Sequence, residues 1–200
     1  MRSVTIGRYE EIPAIAQSPE IADRLEAFAT LLQAWNRIHN LTGAKTREAI
    51  AEQMLDSLWP LTFLPEPESL LDIGTGAGFP GMVLAIALPR TESTLCEPLH
   101  KRAAFLRHVV RELKLERVRV EAKRIESLDT RPYALITSRA VADTAKLIEW
   151  SRPFVAQNSQ LLFYKGERVF EEIEGLESCR IELISRGRRN YLWIKEPFRC

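Results

Sequence analysis

At 200 residues, with 46% hydrophobic and 28% charged side chains, the chain has the composition of an ordinary globular protein with one sizeable core. Its 28 basic side chains nearly balance 27 acidic ones, so no global field draws it onto nucleic acid or anionic lipid, and any RNA contact must use a local patch. Cys96, Cys179 and Cys200 are odd in number, far apart and never in a Cys-x-x-Cys arrangement; this argues against a disulfide framework or a thiolate metal site and fits a reducing, cytoplasmic setting.

The opening MRSVTIGRYEEIP has no apolar stretch of an export signal, and the longest apolar run, Met82 to Leu88, is too short to span a bilayer, so a soluble protein away from the membrane is expected. From Pro19 to Arg37, Ile21, Leu25, Phe28, Leu31, Leu32 and Trp35 recur at steps of three and four, which predicts an amphipathic helix. A second helix is predicted from Arg47 to Leu58, with Thr46 as its N-cap and Asn40, Thr42 and Gly43 in the turn between. Residues 1–66 thus read as a helical extension and 67–200 as the main domain, the two expected to pack as one compact unit.

Pro65, Glu66, Pro67 and Glu68 break the helical pattern. Strands are then predicted near Leu70 to Ile73, Ser93 to Cys96, Val118 to Ala122, Ala134 to Thr137 and Leu161 to Tyr164, with helices near Pro80 to Leu88, Leu99 to Lys114 and Asp143 to Ser151. This alternation predicts an α/β fold, a doubly wound, mostly parallel sheet of Rossmann-like type. Ile181 to Ser185 and Tyr191 to Lys195, separated by Arg186-Gly187-Arg188-Arg189-Asn190, read as a C-terminal antiparallel hairpin. All four tryptophans, Trp35, Trp59, Trp150 and Trp193, are assigned to the core.

The segment Leu70 to Gly81, LLDIGTGAGFPG, carries the chemistry. A buried strand runs into Gly74, Gly76 and Gly78, which permit a tight turn, and Pro80 suits the first turn of the next helix, whose backbone amides would face a ligand. Gly76, Gly78 and Gly81 also satisfy the dinucleotide pattern G-x-G-x-x-G, with Glu97 about 20 residues on as the ribose acid. Asp72, directly before the loop, favours a cationic cofactor: a carboxylate there repels a pyrophosphate, whereas S-adenosyl-L-methionine presents an ammonium and a sulfonium. The lesser readings are a turn carboxylate bonding its own loop for Asp72 and a charge favourable to the helix that follows for Glu97.

Tyr191 and Lys195 have a dehydrogenase-like spacing but lie in a strand, about 13 Å apart, not on one helical turn. His39, His100 and His108 do not cluster with carboxylates, so no metal is expected.

In order along the chain stand Trp35-Asn36-Arg37-Ile38-His39-Asn40-Leu41-Thr42, Leu55-Asp56-Ser57-Leu58, the loop Asp72 to Gly81, Glu97, Lys101-Arg102 with Phe105-Leu106, Arg124-Ile125-Glu126, Ser138-Arg139-Ala140 and Lys165-Gly166. This ordered set resembles the bacterial 16S ribosomal RNA methyltransferase G family, also called glucose-inhibited division protein B, whose members methylate guanine N7. The resemblance implies a class I methyltransferase fold, cofactor contacts at Gly74, Phe79, Ile125, Glu126 and Arg139, and 16S rRNA or the small ribosomal subunit as partner; a monomer is expected. One departure is visible: Gln53 stands where members often carry His.

Arg139 follows the fourth strand, at the crevice where open α/β sheets bind ligands; it suits the methionine carboxylate or an RNA phosphate, or forms a plain ion pair. Phe79 either packs or stacks on the target base. Lys101, Arg102, Arg107, Arg111 and Lys114 populate one helix, and Arg186, Arg188 and Arg189 the late turn; with Lys165 they are the candidate RNA contacts, each also readable as a solvated charge. Guanine N7 carries no proton, so attack on a sulfonium methyl requires no general base, and neither a His-based triad nor a Cys96 nucleophile is assigned. The alternatives are another RNA site or a small molecule as acceptor, a nicotinamide-dependent oxidoreductase, and a noncatalytic RNA-binding module.

Overall fold

The computed structural model describes residues 18–174, 176 and 179–200, so the opening segment MRSVTIGRYEEIP lies outside the described residues. In chain order the elements are α1 (Pro19–His39), α2 (Arg47–Leu58), β1 (Ser69–Ile73), α3 (Gly81–Ala87), β2 (Glu92–Cys96), α4 (His100–Glu112), β3 (Val118–Glu121), β4 (Leu135–Arg139), α5 (Thr144–Ser151), β5 (Gln160–Lys165), α6 (Val169–Glu172), β6 (Ile181–Arg186) and β7 (Arg189–Ile194). The strands form one sheet in the order β3-β2-β1-β4-β5-β7-β6. The first five pair in parallel, and β7 runs antiparallel between β5 and β6. The expected parallel sheet and C-terminal hairpin are both present. Strand order reverses between β1 and β4, which opens a crevice at their carboxyl ends.

Side-chain alternation along the strands assigns the two faces. Leu71, Ile73, Ile136, Leu161, Phe163 and Leu192 meet α5 through Leu147 and Ile148. Leu70, Leu135, Leu162, Tyr164 and Trp193 point the other way, toward Leu84 of α3. On that second face α1 sends Leu25, Phe28 and Leu32 into a cluster with Met82, Val83 and Ile86 of α3 and with Phe105 and Leu106 of α4. The 3.6-residue apolar period of α1 is therefore spent on the sheet-covering helices. Truncating the fully buried Phe28 to Ala is worth about 3–5 kcal/mol by the usual cavity penalty.

Local chemistry explains most boundaries. The Thr46 hydroxyl accepts from Ala49 N and starts α2, and Asp143 accepts from Lys146 N and starts α5. Pro80 sits just outside α3 as its N-cap, one residue earlier than the helical position expected of it. The hairpin turn needs only Gly187, at φ 58°, and Arg188, so Arg189 and Asn190 belong to β7 and not to the turn.

Two expectations require correction. Trp193 is buried, but Trp35, Trp59 and Trp150 are only half-buried, because each lies at the margin of the core with one face on a neighbour: Trp35 on Phe105, Trp59 on Tyr191, and Trp150 under the Lys146 ammonium. Cys179 and Cys200 form a disulfide, with Cα atoms 4.9 Å apart. The hairpin runs out and back between them, so 21 residues of sequence separation close into adjacency that spacing alone does not reveal.

Candidate active site

A cleft of about 420 Å³ lies at the carboxyl ends of β1, β2 and β4. Its floor is the glycine loop. Gly74, Gly76 and Gly78 have φ of 69°, 60° and 107°, a region that side chains with a Cβ rarely adopt. A Cβ on Gly76 would meet nothing nearer than the Gly74 carbonyl at 4.0 Å and would project into open cleft, which leaves the loop flat for a ligand.

The loop amides are nearly all consumed internally. Gly74 N and Thr75 N donate to Cys96 O, and Gly78 N and Phe79 N donate to Thr75 O. Gly76 N donates to Glu97 Oε2 at 2.8 Å, and Gly81 N to Asp72 Oδ2 at 2.9 Å. The amides expected to face a ligand at the start of α3 are thus taken, because Asp72 and the loop carbonyls reach them first. The loop itself therefore leaves few amide donors for a pyrophosphate.

Asp72 is fully buried, with its second oxygen accepting from the Thr137 hydroxyl at 2.7 Å. It sits beneath the loop and outside the cleft wall, in the position of a turn carboxylate. Burial pushes its pKa up to about 6, against the hydrogen bonds from Thr137 and Gly81. Glu97 does line the cleft. Its oxygens accept from Gly76 N and, at 2.8 Å, from Leu99 N, so it bridges the loop to the start of α4 and keeps lone pairs for ligand hydroxyls.

The opposite wall comes from the segment between α1 and α2. Asn36 donates to Thr42 O and Ala44 O, both at 3.1 Å, and accepts from Thr42 N at 2.9 Å. This clamp presents Leu41, Thr42 and Gly43 to the cleft. Sequence reasoning placed these residues in a turn but gave them no role; the Asn spaced six residues before Thr was the available signal. Thr75, Leu99, Ala140 and Val141 are further lining residues that it missed.

Phe79 is buried edge-on to Phe28, ring centroids 5.7 Å apart, and the Arg139 guanidinium covers its ring at 5.1 Å. Arg139 itself donates to Gln53 Oε1 at 2.8 Å and pairs with Asp56 Oδ2 at 3.4 Å. Burial draws its pKa below the ordinary arginine value, with Asp56 opposing and Arg189 adding to the shift. Gln53 therefore fills the place where the usual His is absent: it accepts from Arg139.

Other expected residues are placed apart. Ile125 is packed beneath the third strand's exit with Cys96 and Leu128, and Glu126 is exposed; neither lines the cleft. Cys96 is buried, and its thiol pKa is pushed up to about 12 by that burial and by nearby carboxylates, so it stays protonated and unreactive. Arg102 lines the cleft, Lys101 is exposed beside it, and Arg107 donates to Val120 O at the flank of β3. Arg111 is exposed farther along, Lys114 lies just past the end of α4, and Arg186 lies over Trp59. Lys165 is buried, bonded to Glu172 Oε2 at 2.7 Å and Ala142 O at 3.0 Å. Beside it a second cavity of about 630 Å³, lined in part by Arg168, Arg188 and Arg189, shares Ala140 with the first.

This fold is that of class I methyltransferases. The structure is similar to an O-methyltransferase of Bacillus cereus solved in complex with S-adenosylhomocysteine, with a TM-score of 0.62 at 16% identity over 87% of this chain and 91% of that one. It is also similar to a methyltransferase of Geobacter sulfurreducens, TM-score 0.61 at 13% identity over 90% of each chain. At these identities the likeness speaks for the fold. Within that class, residues 21–186 match the family model described as rRNA small subunit methyltransferase G, and the chain belongs to this family, GidB.

Curated relatives agree along nearly their whole length. The chain is 51% identical over 169 residues to the ribosomal RNA small subunit methyltransferase G of Wolinella succinogenes, covering 84% of this chain and 88% of that one. It is 43% identical over 178 residues to the protein so named in Helicobacter pylori, covering 88% and 98%. The cofactor of this family and fold is S-adenosyl-L-methionine, and the cleft fits it: an open floor over Gly76 and a buried carboxylate, Glu97, with acceptor capacity left over. Among the described residues no helix is long and apolar enough to cross a membrane, and no three His, Cys, Asp or Glu side chains group as metal ligands.

Proposed function

We propose that this protein transfers the methyl group of S-adenosyl-L-methionine to N7 of a guanine in 16S ribosomal RNA, acting on the small ribosomal subunit. The observation that carries the choice of N7 is the poverty of the cleft in proton acceptors. The cofactor cleft's ionisable side chains are Glu97, Arg102 and Arg139, and both Glu97 oxygens already hold backbone amides; in the adjoining cavity Glu172 is held by Lys165 and Thr144, and Glu167 is exposed to solvent. An exocyclic amine or a ribose hydroxyl must lose a proton during methylation; guanine N7 offers a bare lone pair.

When bound, the cofactor supplies an electrophilic methyl whose bond to sulfur breaks, with the pair passing to sulfur, as the N7–carbon bond forms. The chain's own residues position the partners. Gly74 and Gly76 would carry the methionine end, Glu97 the ribose hydroxyls, and Phe79 with Arg139 the wall nearest the acceptor, while Gly78, whose missing side chain leaves room for Phe28 and Met82, and Asp72 hold the loop from beneath. Arg102, Lys101, Arg186, Arg188 and Arg189 would meet RNA phosphates. N7 is shielded in the deep major groove of paired RNA, so the target guanine should be unpaired or swung out. Borohydride and aniline cleavage of small-subunit rRNA from cells with and without the gene tests this reading. Loss of one cleavage site without the gene is expected; an unchanged pattern overturns it.

A further inference from the structure

Two arginines, one from each cavity, meet at one carboxylate. Asp56, near the end of α2, lies between the carboxyl end of β4 and the start of β7. Its Oδ2 pairs with Arg139 Nη1 at 3.4 Å, and its Oδ1 accepts from Arg189 Nε and from the Tyr191 hydroxyl, both at 2.9 Å. The side chains of Asp56 and Arg139 are mostly buried, at 15% and 13% exposure, and Arg189 is at 33%. Its position is fixed more than once: the Tyr164 hydroxyl donates to Ser57 O at 2.8 Å, and the Tyr191 hydroxyl also reaches Asp56 O at 3.2 Å. Two wholly buried tyrosines from β5 and β7 thus hold the helix end that carries the acid.

Each arginine serves a different cavity. Arg139 lines the cofactor cleft, over the Phe79 ring, and Arg189 lines the second cavity beside Arg168 and Arg188. One carboxylate between two guanidiniums leaves the junction one positive charge in excess. Were Asp56 neutral, two partly desolvated cations would repel and lose their common register, while Arg139 would keep Gln53 Oε1 and the Phe79 ring on the cleft side. A phosphodiester is the anion that such a planar, two-armed arrangement recognises, and with Lys165 and Glu172 paired to each other the second cavity adds Arg168 and Arg188 against Glu167.

We propose that Asp56 is a positioning residue: it holds Arg139 and Arg189 as a single fork that receives the phosphodiester of the nucleotide presenting its base to the methyl group. This rests on the methyl-transfer reading above. The fork would aim the acceptor base from the second cavity toward the cofactor cleft across Ala140, the residue that both share. The Asp of the Asp-Ser-Leu segment thereby acquires a role that neither the cofactor site nor the core requires.

The test is steady-state methyl transfer from labelled S-adenosylmethionine to 16S rRNA or the small subunit, with S-adenosylhomocysteine binding measured by calorimetry. For Asp56→Asn the expectation is an RNA KM raised roughly tenfold or more. The log–log salt dependence of RNA binding should flatten by about 0.7 for each phosphate that the variant no longer neutralises, and S-adenosylhomocysteine affinity should stay within about twofold. Arg189→Gln should reproduce the KM effect, and the double variant should cost little more than either single one, because both break the same fork. Additive costs, an unchanged RNA KM, or a loss of S-adenosylhomocysteine affinity in place of RNA affinity would overturn the proposal. Should Asp56→Asn fail to fold, Arg189→Gln decides through the same KM, salt and cofactor readouts. Absence of transfer by the unaltered protein would count against the proposed function and not against the fork alone.

Discussion

The two cavities that meet at Ala140 are built by opposite means. The cofactor cleft rests on backbone: three left-handed glycines, loop amides spent on Cys96 O, Thr75 O, Asp72 and Glu97, and a floor supplied by one contiguous segment from β1 to α3. The acceptor side rests on charged side chains contributed by α2, β4, β5 and β7, joined through Asp56 and Glu172. The first arrangement tolerates little change in shape, and the second tolerates little change in charge.

Substitutions that alter shape should therefore strike cofactor affinity, and substitutions that alter charge should strike RNA. The largest effect is expected for Gly76→Val. A β-branched residue at φ 60° is strained, and its side chain would occupy the open cleft, so S-adenosylhomocysteine should bind roughly 100-fold more weakly in calorimetry while the fold persists. Glu97→Gln keeps the size but removes the charge that assists two amide hydrogen bonds. A drop of about tenfold in cofactor affinity is expected, and an unchanged Kd would return Glu97 to a helix-start charge.

Asp72 sharpens the comparison because it lies in the backbone-built region yet is ionisable. Its folded pKa, about 6, stands above the ordinary carboxylate value of 3.8, so the folded protein holds the proton more tightly than the unfolded chain does. Stability is therefore greatest below pH 4 as far as this group is concerned, and falls as pH rises toward 6. Between pH 4 and pH 7 the unaltered protein should lose about 2 kcal/mol that Asp72→Asn does not lose, read by urea unfolding of both at each pH. Cofactor affinity of Asp72→Asn should change by less than about threefold, since the carboxylate faces Gly81 N and Thr137 and not the cleft. The smallest effect belongs to Gln53→Ala, where Arg139 keeps Asp56. Methyl transfer to RNA should slow by about threefold, with S-adenosylhomocysteine binding unmoved.

The same contrast explains what could be read from sequence. Local patterns located β1, the loop, α3, the parallel strands and the hairpin, because each is specified by residues within a few positions of one another. The fate of Asp72 was open at that level, since a carboxylate before a glycine loop can point up at a ligand or down at an amide, and only the approach of Gly81 and Thr137 decides. Lys165 read as an RNA contact, but Glu172, seven residues on, folds back over it through a short helix. Arg139 and Arg189 each stood out, whereas their common partner Asp56 was only a letter in a motif, 83 residues from the one and 133 from the other. Long-range pairing of charges leaves no periodicity to detect.

Everything proposed for the acceptor side depends on which atom receives the methyl group. The most direct test is to incubate the purified protein with small ribosomal subunits and S-adenosylmethionine labelled in the methyl group, digest the 16S rRNA to nucleosides and separate them. Label is predicted in a single product that comigrates with 7-methylguanosine. Label in any other nucleoside, or in none, would contradict guanine N7 as the acceptor.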